Sequence, residues 1–295
     1  MQRVEQEIAR LIDECNYDEV NRLFGMLSGG KRLRAKLILK IANSSEQAPL
    51  LASIVELIHA ASLLHDDVID EAMTRRGKAS VNATESSKTA VMLGDILYSK
   101  AFTELVCFKK DVAQTISASV TALSKGEMID VNLAKSFNED ESVYLDMLYL
   151  KTATLIEASA KASAMLVGKD AQKYALYGKN LGLSFQIIDD ILDITQDEQT
   201  LGKPAMNDFV EGKCTLPYIY LYKALDEDGK KRLKEMHLRE LNEDEQMWIK
   251  QNMQKYGTIQ KSFELAQKLS NEAMLAIKGD EDLENILKTM IKRSY

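Results

Sequence analysis

Apolar and polar positions alternate along this chain with the period of a helix. Between Leu50 and Leu64, residues Leu51, Ile54, Val55, Ile58, Ala61 and Ser62 form one stripe of apolar and small side chains. Spacings of three and four place such a set on a single helical face. The stretch from Tyr144 to Val167 repeats the pattern through Leu148, Leu155, Ala158, Ala162 and Met165. From Ala171 to Ile194 the same period carries Gly178 and Gly182, a spacing that lets two helix backbones approach closely. The chain has three prolines, Pro49, Pro204 and Pro217, so the long interval from Pro49 to Pro204 holds none. Proline is costly inside helices, and a β-rich chain of this size needs more turn punctuation. The pattern predicts an all-α protein, a large single-domain helical bundle over residues 1–295.

Breaks are expected at Gly29-Gly30, Ser44 to Pro49, Arg75 to Ser80, Gly168-Lys169-Asp170, and the polar segment from Gln199 to Leu216. A long polar loop inside a helical protein is a place to look for function. From Asp226 onward the chain is charge-rich and amphipathic, which predicts peripheral helices.

Composition narrows the function classes. Hydrophobic residues make up 45% of 295, enough for a substantial core. The net charge of −7 gives no bulk attraction to nucleic acid, so an anionic ligand needs local basic groups or bound cations. Cys15, Cys107 and Cys214 are far apart and show no zinc-binding spacing, which suits a reducing compartment. The first residues are charged, and no window reaches the roughly 18 uninterrupted apolar residues of a membrane span. These features predict a soluble, cytoplasmic protein with no membrane span and no nucleic-acid partner.

Two similar pentapeptides carry the chemistry: Asp66-Asp67-Val68-Ile69-Asp70 and Asp189-Asp190-Ile191-Leu192-Asp193. The first and last aspartates of each share a helical face, where like charges repel unless cations are present. Carboxylate oxygens suit Mg²⁺, which keeps waters and is completed by substrate phosphates. The candidate metal ligands are therefore Asp66, Asp67, Asp70, Asp189, Asp190 and Asp193, with Val68-Ile69 and Ile191-Leu192 turned toward the core. A solvated acidic helix face is the plainer explanation, but both clusters end strongly apolar stretches.

Basic residues form a second constellation. Gly29-Gly30-Lys31-Arg32-Leu33-Arg34 opens an amphipathic helix whose N-terminus favours an anion, and Lys31 and Arg34 can converge on a diphosphate. Arg75-Arg76 follows the first cluster, and Lys151, Lys203 and Lys213 are further candidates. Glu56 to His59 matches half of a di-iron helix motif, but neither His65 nor His237 supplies the second half. On residues alone His59 reads as a core histidine, and His65 as a support for the aspartates beside it.

Taken together these motifs closely resemble the trans-isoprenyl diphosphate synthases, the polyprenyl synthetase family. The resemblance rests on Gly29 to Arg34, Asp66 to Asp70, Arg75-Arg76, Lys151-Thr152, Phe185 to Asp193, and Gly202 to Pro217. It implies a helical bundle around a central active-site cavity, usually in a homodimer. It also implies that Lys31, Arg34, His59 and Arg76 bind isopentenyl diphosphate. Arg75, Lys151, Thr152, Gln186, Lys203 and Lys213 would surround the allylic diphosphate. Three Mg²⁺ ions would be held by Asp66, Asp70 and Asp189, with Asp193 a further candidate. The implied catalytic groups are Asp66, Asp70, Lys151, Asp189 and Lys203. Ala35 and Met206 depart from the family pattern, standing where proline and glycine are frequent.

The implied reaction is dissociative alkylation of isopentenyl diphosphate by an allylic cation. Ala61 and Ser62 lie about one helical turn before Asp66, where the family's short-chain members carry bulk. Small residues there, with no insertion in the first cluster, favour a long product. The segment from His65 to Arg76 is similar to bacterial octaprenyl-diphosphate synthases, whose products become quinone side chains. Met128 and Val131 are candidates for the floor of the product tunnel. The competing readings are a farnesyl or geranylgeranyl diphosphate synthase, a class I terpene cyclase, and a non-catalytic subunit.

Overall fold

Helices form where the apolar period runs; the breaks expected around residues 44–49, 75–80 and 168–170 separate helices, as do others, such as 106–109 and 134–140, that the sequence reading did not name. The computed structural model describes residues 1–27, 30–196 and 206–291. In order, the helices are α1 (Gln2–Asp13), α2 (Asp18–Met26), α3 (Leu33–Ile41), α4 (Ala48–Ile69), α5 (Val81–Thr84), α6 (Ser87–Leu105) and α7 (Lys110–Leu133). Then come α8 (Glu141–Leu148), a π-helical turn (Tyr149–Ala153), α9 (Thr154–Leu166) and α10 (Ala171–Thr195). The series closes with α11 (Asn207–Val210), α12 (Leu216–Ala224), α13 (Glu227–Met236), α14 (Glu243–Tyr256), α15 (Thr258–Ala276) and α16 (Glu281–Ile291). Two compact units divide the chain: Met1–Val120 with Glu157–Ala175, and Thr121–Ile156 with Leu176–Tyr295.

The first unit is built on α4. Pro49 sits in its first turn, where a missing N–H costs nothing. Leu51, Ile54, Val55, Leu57, Ile58 and Ala61 are all fully buried, so this helix is covered on more than one side, by α1, α3 and α6. It is long and apolar enough to cross a membrane, but 72% of its apolar window is buried inside the protein. After α4 the chain makes a small antiparallel hairpin, with Thr74 opposite Ala79 and Arg75 opposite Lys78. Both turn residues, Arg76 and Gly77, have positive φ (53° and 74°), as a two-residue hairpin turn of the primed type demands. The break expected at Arg75 to Ser80 is thus a two-stranded exception to the helical pattern.

The second unit packs around Ile187, Phe209, Leu216, Tyr218 and Leu221. Leu233, Met236, Ile249, Met253, Phe263 and Ala266 join the same core. The charge-rich C-terminal helices therefore supply core residues, where the sequence suggested only a peripheral layer. Helix α14 begins with a capping box between Asn242 and Glu245 and ends at Gly257, whose φ of 64° suits glycine. Phe209 is the anchor of the segment between α10 and α12. Its ring stacks on Tyr218 at 4.2 Å and meets the edges of Phe137 and His237. Replacing Phe209 by alanine should cost about 3–5 kcal/mol, read as a lower urea midpoint. Leu275→Ala, at a position 74% exposed, should stay within about 0.5 kcal/mol of the parent.

Candidate active site

Each aspartate cluster is split by its surroundings. Asp66 on α4 is half-buried and Asp70, just past the helix end, is exposed, whereas Asp67 is buried. Two N–H groups of Arg75 hold the Asp67 carboxylate, each at 2.6 Å. Asn82 donates to the Asp67 carbonyl at 3.2 Å, tying the end of α4 to the segment after the hairpin. Burial and the nearby Asp70 raise the Asp67 pKa against the pull of Arg75. Ile69 is 45% exposed, so it does not turn toward the core as its place in the pentapeptide suggested. His65 does not face the aspartates either: its Nε2 lies 3.2 Å from the Val91 carbonyl, its ring packs on Tyr98, and Gly94 makes room for it.

The basic groups of this unit gather near His59. Helix α3 begins at Leu33, later than the glycines suggested, and Arg32 precedes it in a left-handed conformation with φ 51°. The Arg32 guanidinium reaches Glu56 at 3.1 Å and Glu5 at 3.0 Å. Glu56 also accepts the Ala35 N–H at 3.0 Å, so that donor of the helix N-terminus is taken and not open to an anion. Proline at position 35 could not make this bond. Arg34 has a buried Nε with no hydrogen-bond partner, and burial, with Arg76 adding, pulls its pKa down to about 10. The Arg76 guanidinium lies against Gly30, where a Cβ would come within 2.8 Å of it. Lys31 is exposed. The His59 pKa falls well below its ordinary value through burial first, then through Arg34, Arg76, Arg75 and Arg32. His59 is therefore a neutral imidazole, able to donate one hydrogen bond and accept another.

In the second unit, a cavity of about 170 Å³ is lined by Asp130, Tyr144, Lys151, Thr152, Gln186, Asp190, Asp208 and Lys213, among others. Asp190 is buried; the Tyr144 hydroxyl donates to one of its oxygens, and Gln186 Nε2 to the other at 3.0 Å. Burial first, then Asp208, hold the Asp190 pKa well above the usual carboxylate range despite those two bonds. Thr152 Oγ1 donates to Gln186 Oε1 at 3.2 Å. Lys151 sits between two buried carboxylates, Glu127 at 2.9 Å and Asp130 at 2.5 Å. Asp193 is also buried; its carboxylate accepts the Asp208 N–H at 3.3 Å and its carbonyl the Met206 N–H at 2.8 Å. That leaves Asp189 as the half-buried aspartate of its cluster. Met206 has φ 60°, the left-handed region, which gives the physical reason a glycine is favoured there. Lys213 pairs with Glu211 at 2.8 Å. Lys203, with Gly29, Gly202 and Pro204, lies outside the described residues.

Asp130 and Glu127 are not candidates in the sequence reading, because isolated polar residues within helices form no motif; Tyr144 enters it only as the start of an apolar stripe, and Asp208 lies inside the Gly202 to Pro217 motif with no role assigned. Met128 (68%) and Val131 (39%) are exposed, so their side chains do not floor an interior tunnel in this unit. Ala61 and Ser62 are buried on α4. Among the described residues, no group of three or more carboxylate, histidine or cysteine side chains is gathered to hold a metal ion. Mg²⁺ takes one or two carboxylates and finishes its coordination with water and substrate phosphates. The donor chemistry of Asp66, Asp70 and Asp189 matches that requirement.

The family model described as polyprenyl synthetase matches residues 19–255. The crystal structure of octaprenyl pyrophosphate synthase from Helicobacter pylori is similar throughout, with a TM-score of 0.94 and 43% identity, covering 98% of this chain and 97% of that one. A short chain isoprenyl diphosphate synthase of Methanocaldococcus jannaschii is 37% identical over 80% of this chain and 76% of its own length. The octaprenyl diphosphate synthase of Escherichia coli is 35% identical over 72% and 69%.

The neutral His59 sets a pH dependence. Near pH 6.5 the unfolded chain takes up a proton that the folded site refuses, so this contribution is complete above that pH and is lost below it. Melting temperatures measured from pH 7.5 to 5 should fall less steeply in His59→Gln than in the parent. Parallel curves would show that His59 does not refuse the proton.

Proposed function

We propose, from the premise that this chain belongs to the polyprenyl synthetase family and is a trans-prenyltransferase, that it extends farnesyl diphosphate with isopentenyl diphosphate to a long all-trans product of octaprenyl length. The observation that supports this most is the division within each aspartate cluster. Asp67 is bound to Arg75, and Asp190 to Tyr144 and Gln186, while Asp66 and Asp189 stay half-exposed beside them. A group meant for a cation has to be held near solvent, and here its neighbour is held inward.

Asp66, Asp70 and Asp189 would hold three Mg²⁺ ions, with Asp193 a further candidate. When bound, Mg²⁺ supplies the positive charge that stabilises a departing diphosphate. Lys151, Lys203, Lys213 and Arg75, with Thr152 and Gln186, bind the allylic diphosphate. Lys31, Arg34, Arg76 and neutral His59 bind isopentenyl diphosphate. The allylic C1–O bond breaks with its electron pair on the diphosphate, and the double bond of isopentenyl diphosphate forms the new bond to C1. A proton then leaves C2 of the isopentenyl unit for the released diphosphate, so no side chain need act as base. Residues 1–295 serve as one catalytic unit. The enzyme is a cytoplasmic homodimer in this reading, and exposed Val91, Met92, Phe102 and Val106 on and just after α6 support the pairing.

Small side chains at Ala61 and Ser62 favour the long product, while similarity to the M. jannaschii enzyme favours a short one. Incubation with farnesyl diphosphate, isopentenyl diphosphate and Mg²⁺, followed by sizing of the dephosphorylated alcohols, separates them. A ladder ending near C40 is expected; a stop at about C20 selects the short-chain alternative. Asp66→Ala and Asp189→Ala should each lower turnover by about a thousandfold or more with unchanged circular dichroism. Near-normal turnover in either would refute the assignment. Ala61→Phe should shorten the product to about C15–C20 by filling the wall one turn below Asp66, and an unchanged ladder would remove Ala61 from chain-length control.

A further inference from the structure

Between α8 and α9 the chain makes its single described π turn, Tyr149–Ala153, in which the Thr154 N–H reaches back five residues to the Tyr149 carbonyl. Such a turn holds one residue more than an α turn and is rare. Two glycines from other helices press on it. A Cβ on Gly126 of α7 would meet the backbone of Leu150 and Lys151, at 2.7 Å from the Leu150 carbonyl carbon and 2.8 Å from Lys151 Cα. A Cβ on Gly182 of α10 would lie 2.6 Å from Ala153 Cα. Both glycines are in helix interiors, where glycine is the destabilising choice, and neither has a positive φ. Space for the turn is what they provide.

The side chains of the turn go to those same helices. Lys151 meets Glu127 and Asp130, one and four residues beyond Gly126. Thr152 meets Gln186, four residues beyond Gly182. The extra residue also has a rotational effect. Tyr144 reaches Asp190 directly, and Thr152 reaches it through Gln186, although the two are eight residues apart. Eight steps of about 100° on an α-helix leave a residue roughly 80° off the starting face; seven leave it within about 20°. The π turn takes up the eighth step.

We infer that this π turn, gripped by Gly126 and Gly182, is the positioning device for Lys151 and Thr152, and that the two glycines are positioning residues for the allylic diphosphate. The inference rests on the reading of Lys151 as a ligand of that diphosphate. Three variants of the full chain test it: Lys151→Ala, Gly126→Ala, and deletion of Leu150, which removes the extra residue and allows a continuous α-helix. Initial rates give separate KM values for farnesyl diphosphate and isopentenyl diphosphate, and thermal melts report folding.

Gly126→Ala and the deletion should each raise the farnesyl diphosphate KM at least tenfold, with the isopentenyl diphosphate KM within twofold of the parent and a cooperative melt retained. If Lys151→Ala leaves the farnesyl diphosphate KM unchanged, the ligand reading fails and the inference falls with it. If Lys151→Ala raises that KM but Gly126→Ala does not, the ligand reading stands and the positioning role is overturned. Should the deletion protein not fold, Gly126→Ala decides alone. A Gly126→Ala protein that unfolds, or whose two KM values rise together, shows a general structural role and overturns the proposal.

Discussion

Adjacent carboxylates on a helix repel one another, and every arrangement around the two clusters answers that repulsion. Asp67 and Asp190 are each the second member of their cluster, and each is drawn inward and bound by polar partners. The partners differ: a guanidinium ion pair from a hairpin on one side, and a tyrosine hydroxyl with an amide on the other. Burial raises the pKa of both carboxyls; at Asp67 the Arg75 ion pair opposes the rise, and at Asp190 the bonds from Tyr144 and Gln186 oppose it while Asp208 adds to it. Two look-alike pentapeptides thus end in different electrostatic surroundings.

Much of the helical fold was legible because a period near 3.6 records burial directly, and α4 and α10 fall where their stripes run. The clusters were legible because an acidic repeat at the end of an apolar run has no cheap structural explanation. The hairpin after α4 was less so, although Gly77 was a usable signal for a turn with positive φ. Tyr144, Glu127 and Asp130 carry no motif; each matters only because tertiary packing brings α7, α8 and α10 together within the second unit. The π turn is invisible to a periodicity count, since one added residue in a helix only shifts phase. His65 misled because adjacency in sequence placed it near the aspartates, while the helix turned its ring onto α6.

The segment between α10 and α12 shows how the second cluster is joined to its surroundings. Asp193 holds the backbone at Met206 and Asp208, and Phe209 is set into a box of aromatic rings. A non-glycine residue at φ 60° carries strain at Met206, yet its side chain is fully buried, so packing holds the conformation. The last aspartate of the cluster is consequently as much a fastener of this segment as a candidate metal ligand.

Glu56 links three helices of the first unit through one carboxylate: it binds Arg32 at the head of α3, accepts the Ala35 N–H, and shares Arg32 with Glu5 of α1. Because Glu56 and Asp66 stand on one continuous helix, α4, the carboxylate that seats the head of α3 and the first aspartate cluster share a single backbone.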